Sequence, residues 1–302
     1  MKYLHGVTTA MITPFEADGA LNTDKLARLA DFLIAGGVDC LYPLGTTGEM
    51  LKMKETERME AARTVVEAAA GRCTVYVHTG AADPQQVVRL SRHAAEIGAD
   101  GIGVVTPAFF GMNYREMVAF YEMVSKSVPA DFPIYLYNIP QCSGNDITVS
   151  MAAEIARLCP NVAGIKYSWA DMIRTYEYLN IRDGKFQVVQ GTDRLFLPAL
   201  AQGCAGTVSG ISCVYPEPFV KVYSCWKKGD VEAARMWQRK ANRIAEILKC
   251  GSNLALFKAA LAYRGLFESS VRGPQLDISG SEYDSLIKDL ETFEKSGLDW
   301  NK

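Results

Sequence analysis

The chain has 302 residues, of which 49% are apolar, and its formal net charge is −2. This length allows one large domain or two ordinary ones, and the near-neutral charge argues against nucleic acid as a partner. The longest apolar runs are too short to span a membrane, and the first residues lack the apolar core of a signal peptide. Eight cysteines without any C-x-x-C spacing favour a reducing, cytoplasmic setting over a disulfide scaffold.

Short β-rich segments alternate regularly with helical stretches along most of the chain. The predicted strands are 7–12, 40–43, 74–78, 101–105, 134–138, 162–166, 186–190 and 206–209. Helical periodicity marks 23–35, 55–70, 84–97, 114–127, 150–158 and 195–201. Glycines end several of these helices just before the next strand, as at Gly71, Gly98 and Gly203.

This alternation implies right-handed βαβ units and a parallel sheet. Eight units of this size predict a (β/α)8 TIM barrel over residues 1–229. A doubly wound open sheet is less favoured because no G-x-G-x-x-G follows the first strand. After a weak boundary near Gly229, residues 230–302 are predicted to form a helical segment packed on the barrel. Its helices are predicted at 231–249, 253–263 and 281–296.

Lys166 ends the sixth predicted strand, and barrel proteins build their active sites at such strand ends. Burial disfavours the charged form of a lysine, and a neutral amine is a nucleophile toward ketones. A Schiff base is therefore the first chemistry to consider for Lys166. The alternative is a lysine that extends its head group from a strand end into water.

The second predicted strand ends in the sequence Gly45-Thr46-Thr47-Gly48-Glu49. Two hydroxyls between glycines, with backbone N–H groups that a ligand can approach closely, suit a carboxylate or another oxyanion. The spacing of Thr46 and Glu49 also fits the capping box of a helix start. The two interpretations are compatible, because helix N-termini attract anions as well.

Tyr137, at the end of the fifth strand, lies on the same strand face as Tyr135. A tyrosine there can relay protons, or it can be a packed ring with a satisfied hydroxyl. Metal chemistry has little support, because the histidines form no H-E-x-x-H motif and His78 is expected to be a packed residue. No phosphate-binding loop or nucleophile elbow occurs either. We therefore expect neither a metal nor a cofactor.

Short fragments at the strand ends form an ordered set along nearly the whole chain. They are Gly6-Val7, Thr13-Pro14-Phe15, the loop at 45–49, Val105-Thr106-Pro107, Tyr137-Asn138-Ile139-Pro140, Gly164-Ile165-Lys166 and Gly191-Thr192-Asp193. This set resembles the dihydrodipicolinate synthase / N-acetylneuraminate lyase family. The resemblance implies a barrel with a helical C-terminal segment, usually in homotetramers. It also implies class I aldolase chemistry, in which a lysine forms a Schiff base with pyruvate or another 2-keto acid.

The resemblance assigns roles to individual positions. Lys166 would be the Schiff-base lysine, and Tyr137 would shuttle protons to and from the substrate. Thr46 and Thr47 would hold the pyruvate carboxylate through hydroxyl and backbone N–H groups. These groups supply what an iminium mechanism requires, because a carboxylate clamp places the ketone carbon against the amine.

Other positions are expected to bind substrate. Gly191 and Val208 would line the site with backbone near the amine, and Gly45 belongs to the carboxylate-binding loop. Ser168 supplies a hydroxyl that could meet a substrate hydroxyl. Arg194 could clamp a distal carboxylate or polyol, since a guanidinium suits bidentate recognition, or it could be an exposed first-turn arginine.

Departures from the family pattern bear on the substrate. True dihydrodipicolinate synthases carry an arginine two residues after the proline of the strand-five motif, and this chain has Cys142 there. That arginine recognises the carboxylate of the second substrate. The loop after strand four has Phe109 and Phe110 where those synthases usually place an interlocking tyrosine. Whether the nearby Tyr114 replaces that cross-subunit relay is left open.

Sialic acid lyases differ at other positions. They usually have Asp-Glu where this chain has Asp193-Arg194, and a serine where Gly210 stands. The sequence Tyr137-Asn138-Ile139-Pro140, with Ser143-Gly144, resembles that of sialic acid lyases and 2-keto-3-deoxy-sugar-acid aldolases. The resemblance therefore implies a class I carbon–carbon or carbon–oxygen lyase that reversibly cleaves a 2-keto-3-deoxy sugar acid, or a related 2-keto acid, to pyruvate and an aldehyde.

Three alternatives remain for the activity. The first is dihydrodipicolinate (4-hydroxy-tetrahydrodipicolinate) synthase, which condenses pyruvate with aspartate semialdehyde. The second is N-acetylneuraminate lyase. The third belongs to another class, a non-catalytic keto-acid-binding protein, and would predict loss of Lys166 or Tyr137, both of which are present.

Overall fold

A computed structural model describes residues 2–295 and contains a closed barrel of eight parallel strands in chain order. The strands are β1 Gly6–Ala10, β2 Cys40–Tyr42, β3 Thr74–His78, β4 Gly101–Val105, β5 Ile134–Asn138, β6 Val162–Tyr167, β7 Gln187–Gln190 and β8 Gly206–Ser209. Each strand pairs with the next, and β8 closes the barrel onto β1. The predicted TIM barrel is confirmed, and strand boundaries differ from the prediction by at most two residues.

Helices follow the strands and surround the barrel. They are α1 Thr23–Ala35, α2 Glu55–Ala69, α3 Pro84–Glu96, α4 Tyr114–Ser125, α5 Pro140–Ser143, α6 Val149–Leu158, α7 Met172–Leu179, α8 Phe196–Gln202 and α9 Pro216–Lys227. The C-terminal part adds α10 Val231–Ile247, α11 Leu254–Tyr263 and α12 Gly280–Lys295. The third predicted tail helix thus agrees with α12, and its last residue, Ser296, lies outside the described residues.

The sequence pattern missed the helices α5, α7 and α9. The first is a single turn, and α7 has only eight residues, with Ile173 and Tyr176 exposed on its surface. The segment of α9 is rich in proline, aromatic and β-branched residues, which favour loops and strands over helices. Its prolines Pro216 and Pro218 are tolerated because they lie in the first turn, where backbone N–H groups have no partner within the helix.

Aromatic rings fill the barrel below its C-terminal face. Tyr42, Tyr76 and Tyr135 are fully buried there, and the rings of the last two meet edge to face at 5.3 Å. Strand β4 makes room for them with glycines, because a Cβ on Gly103 would lie 1.7 Å from the Tyr42 hydroxyl. This closed floor leaves the C-terminal ends of the strands as the open end of the barrel.

The C-terminal helices pack back on the barrel. Helix α10 packs along α9, and α12 packs against both α10 and α11. Farther along, Ser270 pairs with Phe15 in an isolated antiparallel bridge, so the tail crosses the loop after β1. The division near residue 229 falls between α9 and α10 and stays a prediction. No helix within residues 2–295 is long and apolar enough to cross a membrane.

Candidate active site

A cavity of about 440 Å³ opens at the C-terminal ends of the strands. Most of the predicted site residues lie in its wall, namely Thr46, Thr47, Tyr137, Lys166, Ser168, Gly191, Arg194 and Val208. Gly45 is the exception, because it is buried just before the threonines and does not line the cavity. The fold therefore brings together side chains that are up to 162 positions apart in sequence, from Thr46 to Val208.

Lys166 lies at the inner end of this cavity, between two aromatic rings. It is 4% exposed, and its Nζ lies 3.9 Å from the centre of the Tyr137 ring and 4.9 Å from that of Tyr42. Tyr137 on β5 is its direct partner in the sheet register. Within the described part of the chain, the Lys166 amine makes no salt bridge. The lysine side chain is thus largely shielded from bulk water.

Tyr137 connects the lysine to the threonines. Its hydroxyl lies 3.3 Å from Thr46 Oγ1, within hydrogen-bonding distance. The Tyr137 ring is itself buried against Val105 and Ile139. A hydroxyl beside Thr46, on a ring that packs against the Lys166 amine, can exchange protons with a molecule bound in the cavity.

The loop that carries the threonines has unusual backbone at both ends. Leu44 and Glu49 have left-handed φ angles of 66° and 58°, which cost non-glycine residues about 1–3 kcal/mol each. Thr13 Oγ1 donates to the carbonyl of Gly48 at 2.7 Å and so supports the loop from strand β1's side. We call residues 44–49 the threonine loop.

The capping-box interpretation of Thr46 and Glu49 is wrong. Helix α2 begins only at Glu55, and the short 3₁₀ turn Met50–Lys52 that follows Glu49 has no side-chain cap. The Glu49 carboxylate is 2.5 Å from Lys258 Nζ on α11 and accepts a hydrogen bond from Lys52. Glu49 therefore faces the tail and not the backbone of its own loop.

His78 supports the other end of the threonine loop. Its Nε2 accepts the N–H of Val105 at 3.3 Å, so Nδ1 carries the proton and donates to the carbonyl of Leu44 at 3.0 Å. Burial, followed by the nearby Arg58 and Lys166 charges, holds the pKa of His78 well below its ordinary value. The neutral ring packs edge-on against Tyr137, at 5.8 Å between centres. His78 is a packed residue, as predicted, and it supports the threonine loop at Leu44 and the ring of Tyr137.

Asp193 lines the cavity and was not among the predicted site residues. Its carboxylate accepts a hydrogen bond from Ser209 Oγ at the end of β8. Burial raises the pKa of Asp193 to about 6, against the opposing effects of Ser209 and Lys166. The signal was present in the sequence, since Asp193 is the last residue of the Gly191-Thr192-Asp193 fragment.

Ser168 and Gly191 are closely packed across neighbouring strands. A Cβ on Gly191 would lie 1.9 Å from Ser168 Oγ, so only glycine leaves room for that hydroxyl. Gln141 Nε2 donates to the Ser168 carbonyl at 2.8 Å. Farther out, Arg194 is exposed at the cavity rim and makes no salt bridge with any residue from 2 to 295. Its position is compatible with both predictions made for it.

The tail supplies one wall of the cavity, which the sequence pattern did not indicate. Its lining residues are Ala245, Lys249, Cys250, Gly251, Ser252 and Phe257. Three of them in succession, Lys249, Cys250 and Gly251, have left-handed φ angles of 49°, 51° and 78°. No motif marks this turn in the sequence, because it reaches the site only through the packing of α10 and α11 on the barrel.

The loop after β4 stays outside the cavity. Phe109 and Phe110 are 91% and 77% exposed, and their rings meet edge to face at 5.1 Å. The side chain of Tyr114 points onto α6, where its hydroxyl donates to the carbonyl of Ser150 at 3.3 Å. Within one described chain, Tyr114 does not line the cavity. Residues 2–295 contain no cluster of three or more histidine, cysteine or acidic side chains placed to bind a metal.

The closed (β/α)8 barrel thus places a buried lysine, a tyrosine and two threonines around one cavity at the catalytic end typical of TIM barrels. A model of the dihydrodipicolinate synthetase family matches residues 3–293, and the chain belongs to this family. The resemblance noted from the sequence is confirmed. Members of the family are lyases and synthases.

Relatives of several names match nearly the whole chain. An uncharacterized DapA-like lyase of Halobacterium salinarum is 34% identical over 287 residues, which are 95% of this chain and 93% of the relative. A 4-hydroxy-tetrahydrodipicolinate synthase of Pelodictyon phaeoclathratiforme is 30% identical over 97% of this chain and 98% of the synthase.

Solved structures show the same fold. Dihydrodipicolinate synthase from Aquifex aeolicus is 30% identical with a TM-score of 0.91, over 96% of this chain and 98% of that one. The prophage protein YagE of E. coli K12, solved in complex with pyruvate, is 27% identical with a TM-score of 0.91, over 97% and 99%. The chain is thus similar at full length to proteins with different names within one family.

Proposed function

We propose that the protein is a class I lyase in which Lys166 forms a Schiff base with pyruvate. The observation that carries this proposal is the Lys166 amine, which is buried between the Tyr137 and Tyr42 rings at the inner end of the cavity and makes no salt bridge within residues 2–295. A structure of the related YagE in complex with pyruvate supports the choice of keto acid. The proposed roles of the threonine loop follow from its place beside this amine.

The mechanism starts with the carboxylate. Thr46 and Thr47 bind it, and the ketone carbon then lies against the Lys166 amine, so that addition and loss of water give an iminium. In the cleavage direction, the bond between C3 and C4 of the keto acid breaks, its electrons move toward the iminium to form an enamine, and C4 leaves as the aldehyde. Tyr137 takes the proton of the substrate hydroxyl and later returns one to the enamine. Hydrolysis of the resulting imine releases pyruvate and the free amine.

The wall of the cavity supports cleavage of a 2-keto-3-deoxy sugar acid or a related 2-keto acid. Cys142 lines it where the synthases have an arginine, so this position offers no charge for a second carboxylate. The lysine and arginine side chains in the wall, within the described residues, are Lys166, Arg194 and Lys249. Ser168 and Ser252 add hydroxyls that suit a polyol chain. Arg194 is proposed to bind the distal end of the substrate.

The second candidate is 4-hydroxy-tetrahydrodipicolinate synthase. It is favoured by the name of a relative that is 30% identical over 97% of the chain. The experiment that decides is an assay of pyruvate release from a panel of 2-keto-3-deoxy acids, beside condensation of pyruvate with aspartate semialdehyde. Release from a panel member with poor condensation is expected. Efficient formation of the cyclic product would instead identify the synthase.

We also propose that the protein assembles into homotetramers. Large apolar side chains are exposed near the loop after β4 and along α7, including Phe109, Phe110, Trp169, Ile173 and Tyr176. Exposed apolar surface of this kind is typical of interfaces between subunits. Light scattering on the purified protein is expected to give four times the chain mass of 33.2 kDa, and the mass of a single chain would contradict the proposal.

A further inference from the structure

A buried ion pair joins the threonine loop to the tail. Lys258 Nζ on α11 lies 2.5 Å from Glu49 Oε1, and both side chains are 1% exposed. The same ammonium donates to the carbonyl of Ser270 at 2.6 Å. Lys258 therefore connects three segments, namely the threonine loop, α11 and the tail segment at Ser270 that bridges to Phe15.

The second oxygen of Glu49 is bound as well. It accepts hydrogen bonds from Lys52 Nζ at 2.8 Å and from the backbone N–H of Arg272 at 3.1 Å. Two of the three donors to this carboxylate thus come from the tail. Since Glu49 has a left-handed backbone that is unfavourable by itself, these contacts hold the loop in a conformation it would not keep alone.

Helix α11 also reaches the cavity that the threonine loop lines. Phe257, the residue before Lys258, lines the cavity, and a Cβ on Gly210 would lie 3.6 Å from its ring and 3.2 Å from Thr47 Oγ1. Thr47 and Phe257 therefore both pack at Gly210. The tail therefore bonds to the threonine loop directly through Lys258, and through Phe257 it packs at Gly210, where Thr47 also packs.

The energetics of buried ion pairs favour a geometric role. Desolvation of both charges offsets most of their attraction, so an intact pair adds little net stability, whereas removal of one partner leaves an unpaired buried charge. The lasting consequence of the pair is the position of Glu49, two residues after Thr47. We infer that Lys258 is a positioning residue, which holds Thr46 and Thr47 through Glu49 in the geometry that binds the substrate carboxylate. This inference rests on the proposed role of the two threonines.

The test compares two ketones that react with the same lysine. Pyruvate carries a carboxylate, whereas acetone does not, so only pyruvate uses the threonine loop. The full-length Lys258→Met variant should need about tenfold more pyruvate, or still more, for half-maximal borohydride trapping at Lys166, a loss of about 1.4 kcal/mol or more in binding. The limiting trapping rate and the acetone rate should match the wild type. A merely structural role would leave the pyruvate half-saturation unchanged or lower both rates together, and either result would overturn the inference.

Two further variants keep the test decisive. Arg264→Met removes a different tail contact, the 2.5 Å pair of Arg264 with Glu217, and should leave the preference for pyruvate intact. If Lys258→Met fails to fold, Glu49→Gln/Lys258→Met removes both charges together and avoids the unpaired charge. A folded double variant with the wild-type preference for pyruvate over acetone would contradict the inference. Absence of any trapping at Lys166 in the wild type would instead contradict the proposed function, so the two failures are distinguishable.

Discussion

The inner and outer halves of the cavity are built from different kinds of structure. The inner half consists of strand ends, where Tyr137 and Lys166 are direct neighbours in the register of β5 and β6. The outer half consists of the rim residue Arg194 and the tail turn Lys249–Gly251, whose backbone is left-handed at each residue. Strands of a closed barrel fix side-chain positions closely, whereas connecting turns vary more freely. We therefore expect the bond chemistry to depend on the inner half and the choice of substrate on the outer half.

The largest expected effect is the loss of the nucleophile. Lys166→Ala should reduce turnover below detection and leave the far-ultraviolet circular dichroism unchanged, because the barrel does not depend on this amine. Lys185→Ala, at an exposed lysine, is the matched control and should keep full activity. Retained turnover in Lys166→Ala would refute the proposed chemistry.

Tyr137→Phe should separate bond formation from proton transfer. Without the hydroxyl, turnover is expected to fall by about 10²–10⁴-fold, the usual contribution of a positioned acid or base. Borohydride trapping of pyruvate should persist, because the amine is still present. If turnover in Tyr137→Phe matches the wild type, Tyr137 is only a packed ring.

His78→Phe tests the support behind the inner half. It leaves the Leu44 carbonyl and the Val105 N–H without their partner, so unfolding in denaturant should show a loss of about 1–3 kcal/mol. Burial keeps the folded-state pKa of His78 well below its ordinary 6.5, so the unfolded chain takes up a proton first as the pH falls. The contribution of His78 is therefore present above pH 6.5 and decreases below it. If the free energy of unfolding of His78→Phe depends on pH in the same way as that of the wild type, this assignment is contradicted.

Asp193→Asn should change how pyruvate trapping on Lys166 depends on pH, and should change the maximal trapping rate less. Burial raises the pKa of Asp193 to about 6, so its carboxylate becomes ionised as the pH rises through that value. An ionised Asp193 favours the cationic iminium on Lys166, so trapping with pyruvate should increase across pH 6 in the wild type. The variant should lack this step. A step of equal size in Asp193→Asn would show that another group causes it.

Arg194→Ala tests the outer half and should have the smallest effect. The side chain is exposed, and exposed charge pairs contribute about 0.2–1 kcal/mol, so KM should rise up to about fivefold. The rise is expected only for substrates with a distal anionic group, while kcat and the KM of neutral-ended substrates stay constant. If Arg194→Ala leaves the KM of both kinds of substrate at its wild-type value, Arg194 is only an exposed first-turn arginine.

The strand ends of the inner half and Arg194 could be predicted from the sequence, whereas the tail turn of the outer half could not. Tyr137 and Lys166 lie at the ends of recognisable strands, and Thr46 follows one. Because the parallel strands of a barrel bring their ends to one face, chain order predicts that these residues meet. The contributions of Lys249 and Phe257 depend on how α10 and α11 pack on the barrel, far along the chain from the threonine loop. No local pattern records such packing.

Glu49 shows the same limit within a single motif. Its spacing from Thr46 fits a capping box, and that local interpretation failed because the partner is Lys258, 209 positions later. The prediction missed helix α9 for a related reason, because tertiary packing overrides the weak helix preference of its prolines and β-branched residues. Local rules predicted the barrel strands and the tail helices, but not the contacts by which the tail packs on the barrel.

The central claim is that Lys166 is the residue that binds pyruvate covalently. The most direct measurement is reduction of the wild-type protein with borohydride in the presence of pyruvate, followed by intact-mass and peptide analysis. The account predicts one reduced pyruvate adduct per chain, located on Lys166 and absent without pyruvate. An unmodified mass, or an adduct on any other lysine, would contradict it.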